Sequence, residues 1–353
     1  MKSYSVKHNF LFNALILLVL CISVFGCSKK AEKEIAVAVF VPGVIAGSPT
    51  YEMLSEGSVE AVNEYNEKKH QHVKIDVIEA GTNQAEWSSK LTALTASNKY
   101  SLIVSSNSSL PSIVEPLTEQ FQEQKYLLLD AFLEGNGNVA TVNYNQREQG
   151  YLTGYAAGLV TTADASAFPY ANPAKKIALV AAQEYPVMNE VILPAFEEGA
   201  KAVDSSISVD FRIVGNWYDA SKSADISRSL YDDGVDVILP ISGGANQGVI
   251  SAAQSLKFYV TWFDNNGYDK APGLVISSMA LEQKKLAKEM VSAYLDGKLE
   301  FGKAKTVGIK DGYITFVKDD SVFLANVPKV FVDQLTAVEK DIKDGKLVLP
   351  ASK

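Results

Sequence analysis

The chain has 353 residues, of which 47% are hydrophobic and 21% are charged, and its formal net charge is −8 at pH 7. This length and apolar content allow two domains with large cores, whereas the acidic balance excludes a general affinity for DNA, RNA or anionic lipid headgroups. Its two cysteines, Cys21 and Cys27, both lie near the start, so the fold is not expected to contain intramolecular disulfides.

The first 26 residues have the pattern of a secretory signal. Lys2 and Lys7 precede an apolar run at residues 11–25 that is too short and too interrupted for a typical membrane-spanning helix. The run ends in VFGC, which resembles a lipobox and predicts that Cys27 is lipidated and becomes the first mature residue. An uncleaved anchor is the alternative. Either way, residues 27–34 form a polar tether to a membrane, and the rest faces the periplasm or the cell exterior.

From residue 35 onwards, short apolar segments alternate with longer segments of helical periodicity. This alternation predicts an α/β fold with βαβ units and parallel sheets in two Rossmann-like lobes. From residue 306 the rhythm weakens into a predicted hairpin around residues 310–312, followed by a polar amphipathic tail at 319–353. The predicted strands are residues 35–41, 73–79, 102–105, 126–130, 139–144, 177–182, 208–214, 235–240, 258–264 and 274–279.

Polar residues and turns follow many of these strands. Ligands of open parallel sheets bind at the carboxyl ends of the strands, so these positions predict a cleft lined by both lobes. Asp130 and Asp264 each end an apolar strand, where an unpaired carboxylate is costly. The predicted polar contacts with a ligand are made by Asn107, Asp130, Asp264, Asn265 and the amides of the Gly243-Gly244 turn.

Aromatic residues at the same strand ends predict stacking on a planar ring. Tyr51 opens the first helix, Tyr185 follows the strand at 177–182, and Trp217 follows the strand at 208–214. Ordinary packing at the rim of a cleft is the alternative for each of them. Trp262 lies inside a strand and is expected in the core.

The sequence offers no recognisable catalytic set. Two of its three histidines, His70 and His72, lie in a charged connection, and neither a metal cluster nor a nucleophile with a basic partner is evident. The glycines at 135–137 and 243–248 lack the pattern of dinucleotide or phosphate loops. We therefore expect neither an enzyme, nor a metal site, nor a bound cofactor.

The lipobox, the two α/β lobes, the segment GGANQGVI after one strand and the aspartate ending the next resemble the basic membrane protein family of substrate-binding lipoproteins, from about residue 35 to residue 350. The resemblance implies a type I periplasmic binding protein that delivers its ligand to the permease of an ABC importer, whose best-known members bind purine nucleosides. Two features depart from those members. Residues 44–51 (VIAGSPTY) lack their acidic segment, and residues 278–281 (SMAL) lack their lysine.

The segments VFVPGVIAGSPTYEML, VGNWYDASKSADISRSLYDDGVDVILPISGGANQG and WFDNNGY are most similar to the riboflavin-binding branch of this family. This resemblance implies riboflavin or a related flavin as the transported ligand. A purine nucleoside is the alternative ligand, and a membrane-anchored ligand sensor is the alternative of another class. We expect a monomer with a first lobe at 35–145 and 276–300 and a second lobe at 146–275 and 301–318. The predicted crossovers are at residues 145, 274–277 and 301–302.

Overall fold

The computed structural model describes residues 35–351. The predicted signal, the lipidated Cys27 and the tether at 27–34 lie outside the described residues. Within residues 35–351, no helix is both long enough and apolar enough to cross a membrane.

The described chain forms two six-stranded sheets flanked by helices, which confirms the predicted α/β fold. The strands are β1 Ala36–Val41, β2 Lys74–Glu79, β3 Leu102–Ser106, β4 Lys125–Leu129, β5 Val139–Tyr144, β6 Lys176–Ala181, β7 Ser208–Ile213, β8 Val235–Ile241, β9 Tyr259–Asp264, β10 Val275–Leu281, β11 Ala304–Val307 and β12 Ile314–Phe316. The helices are α1 Pro49–Lys69, α2 Trp87–Ala96, α3 Leu110–Gln120, α4 Gln146–Thr161, α5 Leu193–Val203, α6 Ala220–Asp232, α7 Asn246–Leu256, α8 Gln283–Leu295, α9 Ser321–Asn326 and α10 Lys329–Lys343.

The two sheets repeat one strand order. The first sheet runs β2-β1-β3-β4-β5-β11 and the second runs β7-β6-β8-β9-β10-β12. All the pairs are parallel except β10 with β12. Each sheet therefore has a switch in strand order, between β1 and β3 in the first sheet and between β6 and β8 in the second. A ligand site is expected at the carboxyl ends of the strands beside such a switch.

Apolar residues cover both faces of the central strands. In β1, Val37, Val39 and Val41 belong to one core cluster, whereas Ala38 and Phe40 belong to a second cluster on the other face. Successive side chains of a strand point to opposite faces, so a sheet that has helices on both sides requires a continuous apolar run. This requirement explains why the strands could be located from sequence.

The predicted bounds of the lobes differ from the sheet topology at their later junctions. All seven residues of β10 are buried, and β10 pairs with β9 and β12 in the second sheet, not the first. Strand β11 instead pairs with β5 in the first sheet. The chain therefore crosses between the sheets after β5, as predicted near residue 145, but its other two crossings follow β10 and β11 and not residues 274–277 and 301–302.

The C-terminal region is also more integrated than predicted. Strands β11 and β12 flank residues 310–312 but lie in different sheets, so the predicted hairpin is wrong. The predicted polar tail contains α9 and α10, whose Phe323 and Phe331 are buried. The ring of Phe331 lies 5.5 Å from that of Phe168, and the ring of Phe323 lies 4.7 Å from that of Tyr268. The tail thus completes the core beside the second sheet.

Candidate ligand-binding site

Asp130 and Asp264 are positioned by equivalent strands of the two sheets. Asp130 directly follows β4, and Asp264 is the last residue of β9. Both have a left-handed backbone, with φ of 50° and 72°, which is uncommon for a residue other than glycine. Asp is among the residues that tolerate this conformation best, so an aspartate suits a sharp exit from a strand.

Two glutamines of α4 hold these aspartates. The side-chain amide of Gln146 donates to Oδ1 of Asp130 at 3.2 Å. The amide of Gln149 donates to Oδ1 of Asp264 at 3.1 Å and to the carbonyl of Met279 at 2.9 Å. Residues three apart lie on the same face of a helix, so one turn of α4 contacts an aspartate from each sheet. Sequence reasoning missed both glutamines, although their spacing immediately after β5 was a usable signal.

The environment disfavours charge on both aspartates. Burial, and to a smaller extent the nearby carboxylate of Asp264, raises the pKa of Asp130 to about 8. Burial likewise raises the pKa of Asp264 to about 6, against the lowering effect of the Gln149 hydrogen bond. Each side chain still has partial access to solvent, which is the situation of a group deep in a narrow cleft. Among the ion pairs of residues 35–351, none includes either aspartate.

On the first sheet's side of the cleft, Tyr51 and Asn107 are neighbours. The hydroxyl of Tyr51 donates to the carbonyl of Pro42 at 3.1 Å, and the Asn107 amide lies 3.5 Å from the same hydroxyl. A side chain at residue 43 would place its Cβ 2.9 Å from the Tyr51 ring, which explains the glycine at that position. The loop after β1 therefore packs directly against a tyrosine in the first turn of α1.

On the second sheet's side, Tyr185 and Trp217 form an aromatic pair. Their ring centroids are 6.4 Å apart, and the ring planes are inclined by 39°. The predicted Gly243-Gly244 turn lies against Trp217. A Cβ at Gly243 would be 3.3 Å from the indole ring, and the backbone there has a φ of 60°. The glycines thus allow the turn after β8 to approach the tryptophan closely.

The residues on the two sides of the cleft are close enough to affect one another's pKa values. Negative charge on Asp130 contributes to the raised pKa of Tyr51, about 12, which is caused mainly by burial. Asp130 and Asp264 both contribute to the raised pKa of Tyr185, again after burial. Tyr218, which was not among the predicted site residues, also raises the pKa of Tyr51, although Tyr218 follows β7 of the second sheet. Residues from the carboxyl ends of both sheets therefore share one cleft.

Asn265 differs from the other predicted ligand contacts. Its side-chain oxygen accepts from the indole N–H of Trp262 at 2.8 Å, and its side-chain nitrogen donates to the carbonyl of Asn266 at 3.2 Å. Both ends of the amide therefore have partners within the loop after β9. The structure gives Asn265 a supporting position, and Trp262 is buried, as expected of a core residue.

A second concave region lies away from this cleft. It has a volume of about 370 Å³ and is lined by residues that include Tyr170, Tyr259 and Pro272, but by none of the predicted ligand-binding residues. Within residues 35–351, no group of three or more histidine, cysteine or acidic side chains is arranged to hold a metal ion. The chemistry of the cleft is therefore that of carboxyl, amide and aromatic groups.

Comparison with protein families places these features in context. The family model Bmp, described as "ABC transporter substrate-binding protein PnrA-like", matches residues 34–350. The nucleoside-binding protein BmpA of an ABC transporter in Lactococcus lactis is 24% identical over 269 residues, which cover 71% of this chain and 72% of that protein. Basic membrane protein A1 of Borrelia garinii is 22% identical over 97% of both chains.

Solved structures agree on the fold. A solute-binding protein of an ABC transporter system from Aeropyrum pernix superposes with a TM-score of 0.76 at 17% identity, covering 90% of this chain and 94% of that one. At this level of identity the likeness concerns the two-lobe architecture.

Proposed function

The chain belongs to the Bmp family, whose members are substrate-binding proteins of ABC transporters and not enzymes, and from this premise we propose that its ligand is an uncharged molecule that combines a heteroaromatic ring with a hydroxyl-bearing sugar or chain. The observation that supports this ligand class is the meeting of Asp130 and Asp264, from opposite sheets, beside Tyr51, Tyr185 and Trp217. Aromatic faces bind a planar ring, and carboxyl groups bind hydroxyls and ring N–H groups.

A purine nucleoside is the ligand that the comparisons favour. The Lactococcus lactis relative is named for nucleoside binding, and its similarity spans about seven-tenths of this chain. A nucleoside offers a planar bicyclic ring and adjacent hydroxyls, which fit the aromatic and carboxyl groups of the cleft. Asp130 and Asp264 have no cationic partner in the described chain, so phosphorylated nucleosides should be repelled.

Riboflavin is a second candidate ligand, which the aromatic side chains around the cleft support. Four aromatic side chains lie at the strand ends around the cleft, Tyr51, Tyr185, Trp217 and Tyr218, and a tricyclic flavin has a larger face for them to stack on than a bicyclic purine. The segment at 44–51 also lacks the acidic residues of the nucleoside-binding members, as the sequence indicated. A tricyclic flavin with a neutral polyol chain would use both features.

Membership of this family also indicates a permease as the partner and a location outside the cytoplasm. A substrate-binding protein of this family works outside the cytoplasm and passes its solute to permease subunits. We propose that Cys27 carries the lipid that holds the monomer at the membrane, with residues 28–34 as the tether. Labelling with a radioactive fatty acid, lost in Cys27→Ser, would test the anchor.

The ligand is tested by titrating residues 28–353 with adenosine, guanosine and riboflavin, by calorimetry and by quenching of flavin fluorescence. Binding of a nucleoside with a Kd of about 1 µM or tighter supports the first candidate, whereas quenching of riboflavin at similar concentrations supports the second. Adenosine monophosphate serves as the charged control and is expected to bind at least about 100-fold more weakly than adenosine. Failure of all three neutral compounds would refute the ligand class.

A further inference from the structure

Asp130 and Asp264 form a carboxyl pair that spans the two sheets. Each accepts one hydrogen bond from a glutamine of α4 through its Oδ1 atom, and among the hydrogen bonds of residues 35–351 neither Oδ2 atom has a partner. Gln149 lies on the same side as Asp264, whereas the bond from Gln146 to Asp130 joins α4 to the end of a strand in the first sheet. A single turn of α4 therefore holds a carboxyl group from the end of a strand in each sheet.

The groups around the pair do not compensate two negative charges. Tyr51, Tyr144 and Tyr185 lie near it in three different parts of the chain. Burial raises the pKa of each; Asp130 also raises that of Tyr51, and both aspartates raise those of Tyr144 and Tyr185. The further charged group acting on Tyr144 from the start of α8 is another acid, Glu282. Two carboxylates in one partly desolvated cleft, without a cation, repel each other strongly.

We propose that closure of the two sheets on the ligand takes up one proton from solvent, which Asp130 and Asp264 then share across the cleft. This inference rests on the proposed function, in which the ligand stabilises the closed arrangement. When the sheets are apart, both carboxylates are hydrated and ionised; when they close, one carboxyl becomes neutral and the proton returns to solvent on opening. The protonated pair has one O–H donor, several acceptors and a single negative charge, which suits a neutral ligand rich in hydroxyls.

The direction of the pH dependence follows from linkage. The closed form binds the proton more tightly than the open form, so the ligand is bound most tightly at low pH. The affinity declines as the pH rises from the ordinary value of an aspartate, about 4, through the raised pKa of Asp130, about 8. Over that window, one coupled proton corresponds to a loss of at most about ten-fold in affinity per pH unit.

Calorimetry tests the proton directly, with adenosine and riboflavin as probes and with buffers of different ionisation enthalpy. Near pH 7 we expect uptake of up to one proton per bound probe, and at least about ten-fold weaker binding at pH 8 than at pH 6. In Asp130→Asn, which lacks the group that titrates near pH 8, uptake near pH 7 should fall towards zero and the affinity should become nearly flat above pH 7. Asp236→Asn is the matched control, because Asp236 is a buried aspartate with a raised pKa at the other end of the second sheet; it should behave as the unmodified protein does.

Small-angle scattering of the ligand-free protein provides a readout that does not depend on the ligand. Because protonation favours closure, its radius of gyration should fall from about pH 8 to about pH 6.5, and this change should vanish in Asp130→Asn but persist in Asp236→Asn. Probe binding without proton uptake would overturn the inference and leave the proposed function standing. Compaction at low pH with no probe bound would support the shared proton and refute the ligand class. A flat radius with no probe bound would overturn both.

Discussion

At the scale of single residues, environment separates side chains that look equivalent in the sequence. Asp264 and Asn265 are adjacent and lie at the end of the same apolar strand. The carboxylate of Asp264 raises the pKa of Asp130, whereas the side-chain amide of Asn265 makes its hydrogen bonds with Trp262 and Asn266. Trp262 and Trp217 are likewise different, because Trp262 is buried and Trp217 is partly exposed beside Tyr185. Residue type alone indicates which chemistry is available, and the position of the backbone decides which side chains can reach a ligand.

We predict that Trp217→Ala weakens ligand binding by about 10- to 100-fold, because the ligand loses the indole ring as a stacking partner. This loss corresponds to about 1–3 kcal/mol of binding free energy. Trp217→Phe should recover part of the loss. Tyr231→Ala is the control, since Tyr231 pairs with Phe258 and not with the predicted ligand-binding residues. Titrations of the three variants with adenosine and riboflavin measure the effect. Equal affinity in Trp217→Ala and in the unmodified protein would remove Trp217 from the site.

At the scale of elements, α4 connects the core to the site. Its first turn carries Gln146 and Gln149, and its later turns pack closely on α5 and on the helical turn Met188–Ile192 that precedes α5. Glycines make this approach possible. A Cβ on Gly154 would lie 1.9 Å from the carbonyl oxygen of Phe196, and one on Gly150 would lie 3.0 Å from that of Ile192. The position of the glutamines therefore depends on close backbone contact between helices.

Gly154→Ala is expected to destabilise the protein by about 1–3 kcal/mol or more, because the backbone oxygen that it meets cannot move away as a flexible side chain can. Gly137→Ala is the matched control. Nothing lies within 4 Å of the position that its Cβ would take, and its backbone φ is not positive, so we expect little change or a slight gain in stability. Denaturant unfolding of both variants measures the difference. A Gly154→Ala variant as stable as the control would contradict the packing of α4 on α5.

At the scale of the whole molecule, three crossovers connect two sheets of equal strand order. Such a connection allows the sheets to move as rigid bodies while a few residues between them change their backbone angles. The residues that follow the first crossover, Gln146 and Gln149, are the ones that bind the aspartates. One helical turn directly after a crossover therefore holds both carboxyl groups of the candidate site.

We predict that a saturating ligand lowers the radius of gyration of residues 28–353 by about 1 Å, as the lobes close around it. Small-angle scattering with and without adenosine or riboflavin provides the measurement. Trp217→Ala at the same ligand concentration is the control and should remain closer to the free form. A bound ligand that leaves the radius unchanged in the unmodified protein would argue against a hinged mechanism.

Much of the fold was predictable because buried parallel strands need continuous apolar runs, and these runs stand out in the sequence. The predicted strands at 35–41, 139–144 and 235–240 nearly coincide with β1, β5 and β8. Apolarity does not say which sheet a strand joins, so β10 was assigned to the wrong one. Likewise Gln149 escaped selection, because its role requires Asp264, which is 115 positions away along the chain.

The sequence by itself determined the alternation of strands and helices, the polar strand ends and the acidic, cysteine-poor character of the chain, because these are properties of composition and short-range periodicity. Only the tertiary structure decided which strand ends meet, where the chain crosses between the sheets and that Asp130 and Asp264 share a cleft. Those features depend on contacts between distant segments, and such contacts are set by the packing of whole sheets and helices.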